Sequence, residues 1–263
     1  MATRGDRIEP RSLRRRGTID YMRMAGRRSN VHGLVELDVT EARTRIRAIE
    51  AETGEKLSFT AFLVYCFARA IDDHPHINAY QDWRGRVHVF DDVDVNVLIE
   101  TTIQGNRIGV PHVVRRANRR SLHAIHDEIR TAQESPDPTE LSRWSTLALR
   151  LPGFIRRQVW RLPQVSPRRW KAMAGTVSVT SVGMFGTRGG WAVSPTNYTV
   201  QLTVGGISRE PRRIDGELTT RELLSLTVTF DHDVIDGAPA ARFVQRMGEL
   251  IEDAHGLTEL DDL

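Results

Sequence analysis

Apolar and polar positions alternate through Gly33-Leu34-Val35-Glu36-Leu37-Asp38-Val39, the two-residue period of a strand with one buried face. The same period recurs in Val93 to Ile99, where Asp94 and Asn96 alternate against valines, and in the first half of Gly175 to Gly186. Val87 to Phe90, Thr199 to Gly206 and Leu224 to Phe230 add three further strand-like runs. Ile108 to Val114 also reads as a strand, but Pro111 interrupts it and predicts a sheet edge or a bend. Helical spacing appears after Thr40, a candidate cap, and again from Phe59 to about Asp72 behind Ser58. Ser121 to Gln133 predicts a helix with Leu122, Ile125 and Ile129 inward. A last helix follows Pro239, with Phe243, Met247, Leu250 and Ile251 on its apolar face. His74 to Tyr80 reads as a loop. Strands and helices alternate irregularly, which predicts an α/β (α+β) fold.

The chain has 263 residues, 40% of them hydrophobic, enough for one large domain or two small ones. No apolar run reaches the 18 or so residues of a membrane span. The first residues are basic, lack the apolar core of a secretory signal and carry Asp6 and Glu9, so a cytoplasmic protein is expected. Cys66, the only cysteine, sits among apolar neighbours and reads as a buried, inert thiol. Net charge is +3, and lysine occurs only at Lys56 and Lys171. That balance is too weak to indicate nucleic-acid binding, though it helps attract a polyanionic cofactor. The glycines at 183, 186, 189 and 190 do not form a dinucleotide-binding fingerprint, and no phosphate loop is present.

Three regions follow from these shifts: a basic arm over 1–33, a domain over 34–252 and an acidic tail over 253–263. Within the domain, residues 141–171 hold eight basic residues and no acidic one, interleaved with Trp144, Phe154, Ile155, Trp160 and Trp170. The pattern predicts a pair of basic amphipathic helices hinged at Pro152 and Pro163. Such an insert can pack on its own domain, cap a site, bind a partner or, as the least favoured of these, lie on an anionic membrane.

The candidate chemistry is in Asp231-His232-Asp233-Val234-Ile235-Asp236-Gly237. His232 falls at the exit of a strand, in a turn ahead of a helix, a rigid place to hold a general base. Spacing alone leaves a plain turn or surface histidine as the commoner alternative. Asp236 and Gly237 suggest a tight turn that folds a carboxylate back towards the imidazole or its supporting shell. His74 and His76 flank Pro75, but no third ligand stands at a motif spacing, and no metal is expected.

Four stretches together resemble the catalytic domain of the acyltransferase components of 2-oxoacid dehydrogenase complexes, related in fold to chloramphenicol acetyltransferase. They are HPHINAY at 74–80, RIGVPHVVRRANRRSL at 107–122, GTVSVTSVGMFG at 175–186 and DHDVIDGAPAARF at 231–243. The resemblance spans about residues 10 to 252. It implies a mixed central sheet flanked by helices, a homotrimer that can build a larger assembly, and acyl transfer between thiols, typically a dihydrolipoyl group and coenzyme A. In that scheme His232 is the general base, Asp236 supports it, and Thr180 donates to the oxyanion from a neighbouring subunit. Coenzyme A, as substrate, enters the channel between subunits from one end and the lipoyl arm from the other. The residues that bind it are not identified.

Departures qualify the match. Asp233 stands where the family usually has arginine, and Thr180 where serine is usual. About thirty residues precede the first strand, and Lys56 has no lipoylation context, so a stand-alone form is expected. Its partners would be dehydrogenase-complex subunits or a separate lipoyl domain. Two rivals remain at this stage: a non-catalytic trimer acting as a scaffold, and an acyltransferase on an amine or hydroxyl acceptor.

Overall fold

The computed structural model describes residues 13–103, 106–134, 150–158, 161–181 and 189–257. Six strands form one mixed sheet, in the lateral order β1 (Asn30–Asp38), β8 (Glu217–Asp231), β7 (Val200–Ile214), β6 (Val177–Ser181), β4 (Val95–Ile103) and β5 (Asn106–Val114). β6 runs parallel to both its neighbours and the other pairings are antiparallel. β2 (Ala79–Gln81) and β3 (Val87–Val89) form a separate hairpin. The helices are α1 (Leu13–Ala25), α2 (Thr40–Thr53), α3 (Phe59–Asp73), α4 (Leu122–Glu134), α5 (Gly153–Arg156), α6 (Leu162–Val165), α7 (Pro167–Ala174) and α8 (Gly237–Glu252).

Alternation along the strands makes the two faces of the sheet chemically different. Val95, Val97, Val177, Val179, Val200, Leu202, Leu226 and Val228 point into one core with Phe62, Phe67, Phe243 and Met247 of α3 and α8. The Phe243 ring meets Phe67 and Phe230 edge-on, at centroid separations of 6.0 and 6.1 Å. The intervening residues Asn96, Ser178, Gln201, Thr203, Ser225, Thr227 and Thr229 are polar, yet also buried. The segment 189–198 lies against that second face. Gly190 N donates to Ser225 Oγ at 3.0 Å, and Gln201 Nε2 to Ser194 Oγ at 3.1 Å. Gly205 is required here: a Cβ at that position would sit 2.2 Å from the Gly190 carbonyl oxygen.

Most predicted elements are present. Ser58 caps α3, its Oγ accepting from Ala61 N at 3.3 Å. β5, with Pro111, forms the sheet edge. Four expectations change. Thr40 is the first helical residue of α2 rather than its cap, because its Oγ1 accepts from the Glu222 amide at 2.8 Å. His74 to Tyr80 is a 3-10 turn over Pro75–Ile77 leading into β2. β7 and β8 continue well past the predicted runs as a projecting hairpin. It turns at Asp215 and Gly216, both with positive φ, as a two-residue hairpin turn needs. The expected helix pair at 141–171 is, where described, three short helices. Pro152, Pro163 and Pro167 each stand at or before a first turn, where proline starts a helix instead of bending one. Residues 141–149, the glycine turn at 182–188 and the tail from 258 lie outside the described residues.

Candidate functional site

β8 ends at Asp231, and the next five residues lead into α8. Asp231 holds this turn from several sides. Its backbone N donates to Thr199 O at 2.9 Å, and its carbonyl accepts from Val234 N and Ile235 N at 3.0 and 3.1 Å. Its carboxylate pairs with the Arg28 guanidinium and accepts from Asp233 N at 3.3 Å. Asp231 is buried and Arg28 largely so, which imposes the geometry strongly. His232 N donates to Ser29 O at 2.8 Å, which ties the turn to the chain leaving α1. Ile235 plugs the core below.

The result is a fixed backbone with exposed side chains at His232, Asp233 and Asp236. Among the described residues the His232 imidazole has no hydrogen-bond partner. Asp236 makes no hydrogen bond to it among the described residues. Asp236 and Gly237 form no tight turn: Asp236 is the N-cap position of α8, with extended backbone and no side-chain cap bond, and Gly237 begins the helix. A carboxylate there gains from the helix N-terminus instead.

Thr180 is the fourth residue of β6, half-buried on the polar face. It pairs in register with Thr203 of β7, which pairs with Thr227 of β8. His232 lies five residues beyond Thr227. At about 4.8 Å between strands and about 3.3 Å per residue, Thr180 and His232 of one protomer are roughly 20 Å apart. One protomer therefore does not bring the two together.

The polar face continues from Thr180 towards β1. His32 Nδ1 lies 2.9 Å from Thr229 Oγ1, and the buried hydroxyls of Thr199 and Thr227 have no partner among the described residues. Beside the Arg28–Asp231 pair is a second cluster of Tyr80, Trp170 and Tyr198. Trp170 Nε1 donates to Tyr80 Oη at 2.9 Å, and Tyr198 Oη to the Ala174 carbonyl at 3.0 Å. Burial pushes both phenols upward, which keeps them neutral. This cluster locks α7 against β2 and fixes the chain entering β6. Sequence reasoning missed Arg28, Ser29 and the buried hydroxyl row. The row had a visible signal, since Ser225, Thr227 and Thr229 alternate with apolar residues in Leu224 to Phe230. Arg28 was one of many arginines in the arm and had none.

Of the histidines considered as metal ligands, His74 packs edge-on against Phe243 at 6.2 Å. A group not anticipated is Glu55, His123 and Asp127. There the two ring nitrogens of His123 face different carboxylates, Nε2 to Glu55 at 3.3 Å and Nδ1 to Asp127 at 3.2 Å. A single ion could replace only one of those contacts. Burial alone would lower the His123 pKa, but the two carboxylates outweigh it and raise it.

The model of the 2-oxoacid dehydrogenases acyltransferase catalytic domain matches residues 4–143 and 168–258. The acetyltransferase component of the pyruvate dehydrogenase complex of Mycoplasma capricolum is 24% identical over 83% of this chain and 44% of its own length. The lipoamide acyltransferase component of the branched-chain alpha-keto acid dehydrogenase complex of Pseudomonas putida is 30% identical over 82% of this chain and 45% of its own. This chain thus spans under half the length of these curated relatives. Among solved structures, the dihydrolipoamide acetyltransferase of Azotobacter vinelandii superposes with a TM-score of 0.71 at 22% identity, covering 97% of this chain and 95% of that one. A chloramphenicol acetyltransferase superposes with a TM-score of 0.52 at 16% identity, over 93% and 95%. Both share the fold. Among the described residues no helix is long and apolar enough to cross a membrane.

Proposed function

We propose, from the premise that this chain belongs to the family of 2-oxoacid dehydrogenase acyltransferase catalytic domains, that it moves an acyl group between two thiols. One thiol belongs to coenzyme A and the other to a dihydrolipoyl arm. His232 takes the proton from the attacking thiol, whose free pKa near ~8.5 leaves little thiolate at neutral pH. The sulfur attacks the thioester carbonyl carbon, and the carbonyl electrons move onto oxygen. The Thr180 hydroxyl donates a hydrogen bond to that oxyanion, a contribution commonly worth about 3 kcal/mol. Collapse breaks the original carbon–sulfur bond, and the imidazolium returns its proton to the departing sulfur. No covalent acyl-enzyme is required.

One observation carries this reading. In the A. vinelandii dihydrolipoamide acetyltransferase, a serine, a histidine and an asparagine are the residues whose role in the catalytic mechanism is described. There the histidine is 52 positions after the serine and the asparagine 4 after the histidine. Thr180, His232 and Asp236 have the same two separations. The separation of Thr180 from His232 within one protomer supports a site built between copies of the chain, as in a homotrimer. Dehydrogenase-complex subunits or a separate lipoyl domain are the partners this reading favours. The test is an assay with acetyl-coenzyme A and free dihydrolipoamide. Activity that is lost in His232→Ala supports the reading. A wild-type chain inert with both thiols, or a fully active variant, contradicts it.

A further inference from the structure

The family match stops at residue 143 and resumes at 168, so the segment between them falls outside the family model. Its described part presents bulky apolar side chains to solvent: Phe154 is 64% exposed and Val165 63%, with Leu151 and Ile155 also out. Arg150, Arg161, Arg168 and Arg169 are exposed around them and have no ion-pair partner among the described residues. Four cations unpaired among the described residues are interspersed along the chain with four exposed apolar groups, and no acidic residue occurs from 141 to 171.

The segment is anchored, which separates it from a loosely attached loop. Arg156 Nε donates to the buried Asp20 of α1 at 2.7 Å, and Arg157 reaches the same carboxylate at 3.7 Å. At its other end, Trp83 N donates to Gln164 O at 3.0 Å. That bond joins α6 to the β2–β3 turn, whose Trp83 is itself 67% exposed. Arg84 stacks on the indole at 4.7 Å. The turn is stiff, because the Asp82 carboxylate accepts from Arg84 N and Arg86 N at 2.9 and 3.0 Å and pairs with Arg86 and His88. Trp83 is therefore held outward by a well-made turn, bonded to Gln164, the residue before Val165.

We infer that Trp83, Phe154 and Val165, with the arginines around them, form a surface that docks on an anionic lipid bilayer. An interfacial tryptophan, other bulky apolar groups and unpaired arginines suit the boundary between anionic headgroups and acyl chains. Lipid also fits better than an acidic protein. The apolar groups sit on a turn and on helices of four residues, projecting outward, and a fluid surface takes such protrusions without a matching cavity. Charge complementarity selects the anionic leaflet. The contact is peripheral and does not depend on the acyltransfer reading.

The test is co-sedimentation of the full chain with vesicles of phosphatidylcholine alone and of equal parts phosphatidylcholine and phosphatidylglycerol. The chain should sediment with the anionic vesicles, remain in solution with the neutral ones, and be partly released by high salt. Trp83→Ser with Phe154→Ser should weaken binding by at least about tenfold while leaving melting temperature and oligomeric state unchanged. Arg161→Glu with Arg168→Glu should do the same, so that two independent pairs guard against misfolding of either. Failure to sediment with the anionic vesicles overturns the inference, whatever acidic proteins the chain binds. So does a Trp83 and Phe154 variant that binds as wild type, or one whose oligomer falls apart, which would make this face a subunit contact.

Discussion

The Arg28 guanidinium, just beyond α1, is paired with the carboxylate of Asp231, the residue immediately before His232. The pair joins the arm of the chain to the end of β8, two segments about 200 residues apart in sequence. It fixes the backbone from which the imidazole projects. Arg28→Met would leave a buried carboxylate without its counter-charge, at a cost of about 3–5 kcal/mol. Replacing both partners, Arg28→Met with Asp231→Leu, should recover a large part of that loss. Urea unfolding of the two variants checks this.

His232 itself contributes nothing comparable to the fold of a protomer, since its side chain is exposed and without a partner among the described residues. His232→Ala should therefore lower acyl transfer by about 10²- to 10⁴-fold with the melting temperature unchanged. A matching loss of stability would mean that the histidine is structural.

Thr180 is tested by its two nearest replacements. Thr180→Ala should lower the rate constant for transfer by about 10²- to 10³-fold, because the oxyanion loses a donor. Thr180→Ser keeps the hydroxyl and sheds the β-branch, so most activity should remain. Equal loss in both variants would point to packing in β6 rather than to donation.

Glu222 on β8 gives a pH-dependent prediction away from the site. Burial would raise its carboxyl, but the bonds from Arg43, Arg47 and Arg209 outweigh that and hold it below its ordinary 4.5. A depressed carboxylate contributes stability that is complete above the unfolded value and is lost as pH falls through the folded one. Glu222→Gln should thus cost about 1–2 kcal/mol at neutral pH, and the difference from wild type should shrink below pH 4.5. Denaturant midpoints at neutral and acid pH measure it.

The strand and helix pattern was legible where one period governed a whole element. α3 is the clearest case, with Ser58 at its start and an apolar run behind it. The projecting half of the β7–β8 hairpin was not, because both its faces are wet and its charges carry no inside-outside contrast. Asp215-Gly216 was its one available sign. The place of His232, between a strand and a helix, could be read because a motif surrounds it. The tight turn expected at Asp236-Gly237 is a helix start instead, for a physical reason: an Asp-Gly pair suits both equally well, and only the backbone decides. Arg28 and Asp231 meet across a tertiary contact that no local pattern encodes.

The central claim is that His232 of one subunit works with Thr180 of another, and mixed oligomers test it most directly. His232→Ala and Thr180→Ala protomers, each nearly inactive alone, are unfolded together and reassembled in equal amounts. In a cyclic trimer about one interface in four then pairs an intact His232 with an intact Thr180. Recovery of about a quarter of wild-type activity is the predicted result. Activity no greater than that of the two parent variants, in a sample shown to contain mixed oligomers, would contradict it.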